Sequence, residues 1–130
     1  YIDFSMILAE LSRLEGDRAG AVETLVACIP GVEPRQHQNV MLFANWAINL
    51  ISDFGLHREC ARWNEAWYGI ARMTGNNTVI NQEVRNRRRD RAAAAIGEEA
   101  VRAAEADGGD ISPAQLFAEL AEALRSLASN

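Results

Sequence analysis

Helical periodicity runs through almost the whole chain and leaves little room for any fold that is not all-helical. Apolar residues recur at spacings of three and four, which is the repeat of one helix face. No long segment alternates with the period of two that a half-buried strand shows. The first segment, residues 3–15, places five apolar residues on one face of a helix: Phe4, Ile7, Leu8, Leu11 and Leu14.

Turn and capping residues divide this all-α chain into about seven helices. Ser112 is followed by Pro113 and Gln115, a strong start signal, because serine caps a helix and proline fits its first position. Short connections make successive helices antiparallel neighbours, so the predicted fold is an antiparallel stack of helix pairs. The predicted helices cover residues 3–15, 18–29, 35–53, 57–73, 79–95, 98–106 and 113–127.

The length fits one globular domain. The chain has 130 residues, of which 48% are hydrophobic, enough to bury a core. We interpret residues 1–130 as one helical-repeat domain, with a first helix pair (1–34), a second pair (35–74) and terminal capping helices (79–130). The chain starts with Tyr1 rather than Met, which predicts a segment of a longer protein.

Hydropathy and cysteine usage predict a cytoplasmic protein. No apolar run reaches the roughly 18 residues of a membrane helix, and no signal-peptide pattern is visible, so we expect no membrane contact. Cys28 and Cys60 lie in helical apolar patterns beside alanines. We interpret both as small buried thiols in a reducing compartment rather than as a disulfide.

The two helix pairs resemble a known repeat. Their turns at Gly16 and Gly55 lie 39 residues apart, near the period of helical repeat families. The first pair resembles a tetratricopeptide repeat at its turn and at its large and small helix positions: Leu8, Ala9, Gly16, Asp17, Ala21, Leu25 and Cys28. The second pair matches less well, since Asn64 stands where a large apolar residue belongs.

Residues 56–127 resemble the carboxyl-terminal region of the large bacterial LuxR-type regulators and their relatives. The resemblance lies in the stretches CARWNEA (60–66), AAIGEEAV (94–101), GDISP (109–113) and LAEAL (120–124). Those regulators combine a signalling ATPase module with a tetratricopeptide-like array. Neither the DNA-binding helix-turn-helix of the family nor a phosphate-binding loop occurs in this chain.

This resemblance implies a non-catalytic regulatory module of a multidomain transcription regulator. Its expected partner is another protein, another domain of the same polypeptide or an inducing ligand. A homodimer is a further expectation, because the end of a truncated array leaves an apolar face uncovered.

The third helix supplies candidate partner-binding residues. Asn45, Trp46 and Asn49 place polar groups beside an aromatic ring in an otherwise apolar helix, although asparagine does not favour helix interiors. Trp63 and Trp67 lie four residues apart on the fourth helix, and with Arg62 they form a second candidate contact, since tryptophan and arginine are common interface anchors. The alternative is that the tryptophans pack in the core.

A basic run on the fifth helix supports a nucleic-acid alternative. Arg85, Arg88 and Arg89 share one face of that helix, where they could track phosphates. The competing interpretation is a solvated helix that pairs with the acidic tail, residues 98–130. Because the net charge is −5, we expect no direct DNA contact by this segment.

The sequence offers no sign of catalysis, and we predict a non-enzyme without a cofactor. It contains no Gly-x-Ser-x-Gly nucleophile motif and no phosphate-binding loop. Carboxylate pairs such as Glu98-Glu99 fall on predicted solvated helix faces. His57 and Cys60 are three apart on one helix, but no third ligand lies near them in sequence, so we predict no metal site.

Overall fold

The computed structural model describes residues 2–129, and within that range the chain is all-helical, as predicted. Each predicted helix is present, with ends within two residues of their expected positions. A single turn of 3-10 helix at Ile29–Gly31 is added. The helices are α1 (Ile2–Leu14), α2 (Arg18–Cys28), α3 (His37–Ser52), α4 (His57–Met73), α5 (Val79–Ile96), α6 (Glu98–Gly108) and α7 (Pro113–Ala128). None of them is both long and apolar enough to cross a membrane.

Side-chain caps fix where several helices begin. The carboxylate of Asp17 accepts a hydrogen bond from the backbone N–H of Gly20 at 2.9 Å, and Ser112 Oγ accepts one from the N–H of Gln115 at 3.1 Å. Each bond satisfies an N–H group that has no partner within the helix. Gly16 precedes the first cap with φ at +89°, a conformation that glycine adopts at little cost.

The main hydrophobic core is formed by α1, α2, α3, α4 and α7. Phe43 of α3 is fully buried and meets Phe117 of α7 edge to face, with ring centroids 5.3 Å apart. A T-shaped aromatic pair of this kind adds roughly 1 kcal/mol to the effect of burial alone. The core therefore joins a helix from the middle of the chain to the last helix.

The last helix closes the structure. Helix α7 packs against α2, α3 and α4, although α2 is separated from it by four intervening α-helices. In an open helical array each repeat contacts only its neighbours. The contact between α7 and α2 therefore gives this chain a closed core within an all-helical stack.

Helix α1 is amphipathic, and the apolar stripe that the sequence places on one of its faces is exposed: Phe4 63%, Ile7 48%, Leu8 44%, Leu11 49% and Leu14 67%. Met6 and Ala9, on nearly the opposite side of the helix, are buried instead. Periodicity locates an apolar face without showing whether another element covers it. Helices α2 and α3 pack on the side of Met6 and Ala9.

A second, smaller hydrophobic cluster joins α4, α5 and α6 through alanines. Ala61, Ala92, Val101 and Ala104 are buried together, and small side chains of this kind let helix axes approach closely. Helices α6 and α4 also approach each other closely at Gly108, where an added Cβ would lie 2.4 Å from the carbonyl oxygen of Arg62. Glycine is therefore required for α6 to pack against α4 at this point.

Two neighbouring glycines test this close approach. Gly108→Ala should lower the free energy of unfolding by roughly 1–3 kcal/mol, because the added methyl group overlaps backbone that cannot yield without shifting a helix. Gly109→Ala is the matched control, since its Cβ would have no neighbour nearer than 4.0 Å, and we expect a change within about 0.5 kcal/mol. Urea unfolding followed by circular dichroism measures both. Equal stabilities would contradict the proposed role of Gly108.

Candidate functional site

A polar cleft of about 460 Å³ lies between α1, α3 and α5. It collects the predicted residues of the third helix, Asn45, Trp46 and Asn49, and one arginine of the basic run, Arg88. Pockets of this volume suit small ligands. The cleft therefore brings together the candidate partner-binding residues of the third helix and one residue of the candidate nucleic-acid site on the fifth helix.

Arg88 crosses from α5 to α3 and holds the floor of the cleft. Its Nε donates to Asn49 Oδ1 at 2.8 Å, and its Nη2 donates to both the backbone carbonyl and the Oδ1 of Asn45 at 2.6 Å. The guanidinium carbon also lies 4.9 Å from the centre of the Trp67 ring, a cation–π geometry. The two asparagine side chains of α3 thus serve as hydrogen-bond acceptors for Arg88.

The charge of Arg88 is buried without a carboxylate beside it. Within residues 4–129, whose side chains the structure describes, its hydrogen-bond partners are amide and carbonyl oxygens, and its Nη1 is buried with no partner. Burial lowers the pKa of Arg88 to about 10, because the low-dielectric surroundings disfavour the charged form. Arg88 remains a cation at neutral pH, and its positive charge is only partly compensated.

Trp46 adds a second unpaired donor to the same cleft. Its indole Nε1 is buried and has no hydrogen-bond partner among the described residues. The other two tryptophans differ: Trp63 Nε1 donates to Glu119 at 2.9 Å, and Trp67 Nε1 donates to the carbonyl of Met41 at 3.2 Å. Buried N–H groups are rarely left unpaired, and Trp46 lines both this cleft and a smaller space beside Ala9 and Leu25.

The rim of the cleft is positive overall. Arg13, Arg87 and Arg91 line it together with one carboxylate, Glu10. Arg13 contacts both Glu10 and Asp53, and Arg91 contacts Asp53 at 3.0 Å. The two carboxylates neutralise part of the rim, but the four lining arginines outnumber them.

The cleft also contains a cysteine that is not poised for chemistry. Burial raises the pKa of the Cys60 thiol to about 12, so it stays protonated at neutral pH and is a poor nucleophile. Its Sγ faces the backbone carbonyl of Ile48 at 3.5 Å. Both cysteines are buried and free, which confirms that part of the sequence interpretation. Among the side chains that the structure describes, those of residues 4–129, no group of three or more potential metal ligands occurs.

Trp63 and Trp67 are buried in the main core, as the alternative of core packing predicts. Arg62, the third residue of that candidate contact, forms an ion pair with Glu119 of α7, which also accepts the N–H of Trp63. Arg62 and Trp63 therefore join α4 to α7.

Arg85 and Arg89 are committed to ion pairs within the chain. Arg85 contacts Glu65 of α4 at 3.2 Å, and Arg89 contacts Glu98 and Glu105 of α6. The interpretation that this helix pairs with the acidic tail is thus confirmed for Arg89 and for Arg85, which also lies 3.9 Å from Glu105. Of the three arginines assigned to the basic face, Arg88 alone lines the cleft.

The apolar face of α1, defined by Phe4, Ile7, Leu8, Leu11 and Leu14, is the second unusual surface. It contains five of the eight large apolar side chains that are exposed in residues 4–129; the others, Met73, Val79 and Ile80, lie near the turn between α4 and α5. Exposed apolar side chains scattered singly are common, but a contiguous stripe marks an interaction site.

Compared with models of known protein families, with curated proteins and with solved structures, the chain shows no significant match.

Sequence reasoning missed part of this site. Arg13 and Arg91 were not among the predicted residues, because their meeting at Asp53 joins three separate helices. The exposure of α1 was missed for a similar reason. One sequence signal did point to the cleft, namely two asparagines in a helix interior.

Glu119 gives a test of the α4–α7 ion pair. The guanidinium of Arg62 and the N–H of Trp63 hold its pKa at about 2, below the usual 4.5. Because the folded value is the lower one, the stabilisation is complete above pH 4.5 and is lost as the pH falls towards 2. Glu119→Gln should lower the free energy of unfolding at pH 7 by on the order of 1 kcal/mol, since the pair is partly solvated.

Urea unfolding between pH 2 and pH 7 measures both effects. The variant Glu119→Gln should lose less stability than the original chain as the solution is acidified. Glu122→Gln, an exposed position on the same helix, is the matched control and should keep the original pH dependence. If Glu119→Gln loses as much stability as the original chain when the pH is lowered, the ion pair does not stabilise the fold.

Proposed function

We propose that this chain is a non-catalytic association module that joins two copies of a larger protein through the apolar face of α1. The observation that carries the proposal is the exposure of five large apolar side chains along one helix. Their spacing of three and four residues forms a continuous stripe, as in helices that pair with other helices.

The size of this face fits a weak, reversible dimer. Five side chains at these exposures leave roughly 400–500 Å² of apolar surface in water, as large as the largest patch on a typical monomer. Pairing two copies would remove roughly 1,000 Å² from water, which is at the lower end of specific interfaces. The driving force is the release of water from apolar surface.

A two-fold arrangement makes the stripe complementary to itself. In an antiparallel pairing, Phe4 of each copy lies opposite Leu14 of the other, and Ile7 lies opposite Leu11, because both pairs are centred on the same position of the helix. Such an interface uses the same surface on both copies and closes at a dimer. This symmetry favours a second copy over an unrelated helix as the partner.

The wider context that we propose follows from the sequence. The resemblance to the carboxyl-terminal region of LuxR-type regulators supports a tetratricopeptide-like interaction or inducer-sensing module of a bacterial transcription regulator that works in the cytoplasm. A non-catalytic role is supported by the cleft, where the cysteine thiol stays protonated. The nucleic-acid alternative has less support, since Arg85 and Arg89 already pair with carboxylates.

Two matched substitutions test the association. Ile7→Glu places a charge in the centre of the proposed interface and should abolish the dimer, because an unpaired carboxylate is costly to bury. Ile80→Glu makes the same change at a side chain of α5 that is 71% exposed and should leave the dimer intact. Sedimentation equilibrium over a concentration series measures the dissociation constant, and circular dichroism checks that both variants are folded.

The oligomeric state of the unmodified chain is the first result to obtain. A monomer at every concentration would refute a second copy as the partner, leaving another domain of the same polypeptide as the element that covers α1. A dimer that survives Ile7→Glu would place the interface elsewhere.

A further inference from the structure

The cleft presents an arginine whose charge is not neutralised where it lies. Arg13, Arg62, Arg85, Arg89 and Arg91 each have a carboxylate within ion-pair distance. In the described part of the chain Arg88 has none, although its side chain is partly buried and its Nη1 atom is fully buried. Burying a cation without an anion costs free energy. That cost would be recovered if an anion entered the cleft.

The hydrogen bonds made by Arg88 use two of its three guanidinium nitrogens. Nε and Nη2 are held by Asn49 and Asn45, which fixes the plane of the guanidinium. Nη1 is buried and has no partner. A guanidinium fixed in this way loses little side-chain entropy when it binds an oxyanion.

Three further donors belong to the same cleft. Trp46 Nε1 is buried and unpaired, and an indole nitrogen can only donate. The side-chain oxygens of Asn45 and Asn49 accept from Arg88, so both amide NH2 groups remain as donors. Among the described residues, these donors therefore have no hydrogen-bond acceptor within the cleft.

The surroundings favour an anion over a neutral acceptor. Arg13, Arg87 and Arg91 line the rim, and the facing carboxylates are Glu10 and Asp53. Asp53 is already shared by Arg13 and Arg91, and Glu10 is held by Arg13. Neither carboxylate contacts Arg88, so its charge is available to a ligand.

We propose that the α1–α3–α5 cleft is a binding site for a small oxyanion ligand, whose carboxylate or phosphate group pairs with Arg88 and accepts a hydrogen bond from Trp46. The volume of about 460 Å³ accommodates a small molecule rather than a single ion. The site is separate from the apolar face of α1, so ligand binding does not depend on dimer formation.

The three indole N–H groups provide the test, because they differ in the structure. We would titrate the ¹⁵N-labelled chain with sodium phosphate and, separately, with sodium succinate, and follow the three tryptophan side-chain signals by NMR. Sodium chloride at matched ionic strength is the blank. We expect the Trp46 signal to move and saturate, with a dissociation constant on the order of 1 mM. The signals of Trp63 and Trp67, which are already hydrogen-bonded, should hardly move.

Variants make the assignment specific. Trp46→Phe identifies the signal and removes the donor while retaining most of the apolar volume. Arg88→Gln should weaken binding about tenfold or more, because it removes a charged hydrogen-bond donor. Arg102→Gln is the matched control, since it removes the same charge from a side chain on α6 that is 74% exposed, and it should bind as the original chain does.

Each outcome decides for or against the site. Saturation by phosphate alone identifies a phosphate ligand, and saturation by succinate alone identifies a carboxylate ligand. Either result supports the proposal. The proposal is overturned if Trp46 responds no more than the other tryptophans, or if chloride reproduces the shift. If Arg88→Gln is folded and binds as tightly as the original chain, the assignment to Arg88 is overturned. Should Arg88→Gln fail to fold, the affinity of Trp46→Phe, read from backbone signals of α3, decides instead, and an unchanged affinity overturns the proposal.

Discussion

The packing of α4 is the constraint on which the rest of this structure depends. One side of α4 contributes Trp63 and Trp67 to the main core, and another contributes Ala61 to the cluster with α5 and α6. Helix α5 reaches the main core chiefly through α4. The distance between Arg88 and the asparagines of α3 is therefore set by how closely α4 packs on both sides, including the glycine contact with α6.

Polar groups buried by this packing satisfy one another only in part. Asn45 and Asn49 are unfavourable residues for a helix interior, and their bonds to Arg88 offset that cost. These hydrogen bonds still leave one guanidinium nitrogen of Arg88 without a partner, and the indole nitrogen of Trp46 is also unpaired. A partly satisfied polar network lowers stability, and such a cost is typical of sites shaped for a ligand rather than for the core.

Helix α1 takes part in both surfaces. Glu10 and Arg13 extend from it to the rim of the cleft, whereas its apolar face points to solvent on another side. Helix α1 can do this because Met6 and Ala9 are enough to fix it on α2 and α3. The proposed association surface and the proposed ligand site thus share one helix while using different side chains.

The sequence by itself determined the all-helical class, the seven helices and their capped ends, because periodicity and capping are local properties of the chain. It also marked Asn45, Trp46 and Asn49 as unusual for their helix. Only the tertiary structure decided that the stripe of α1 is uncovered, that α7 returns to α2, and that Arg88 rather than Arg85 or Arg89 lines the cleft. The physical reason is that burial and ion pairing depend on contacts between distant segments, and a pattern along one helix carries no record of what packs against it.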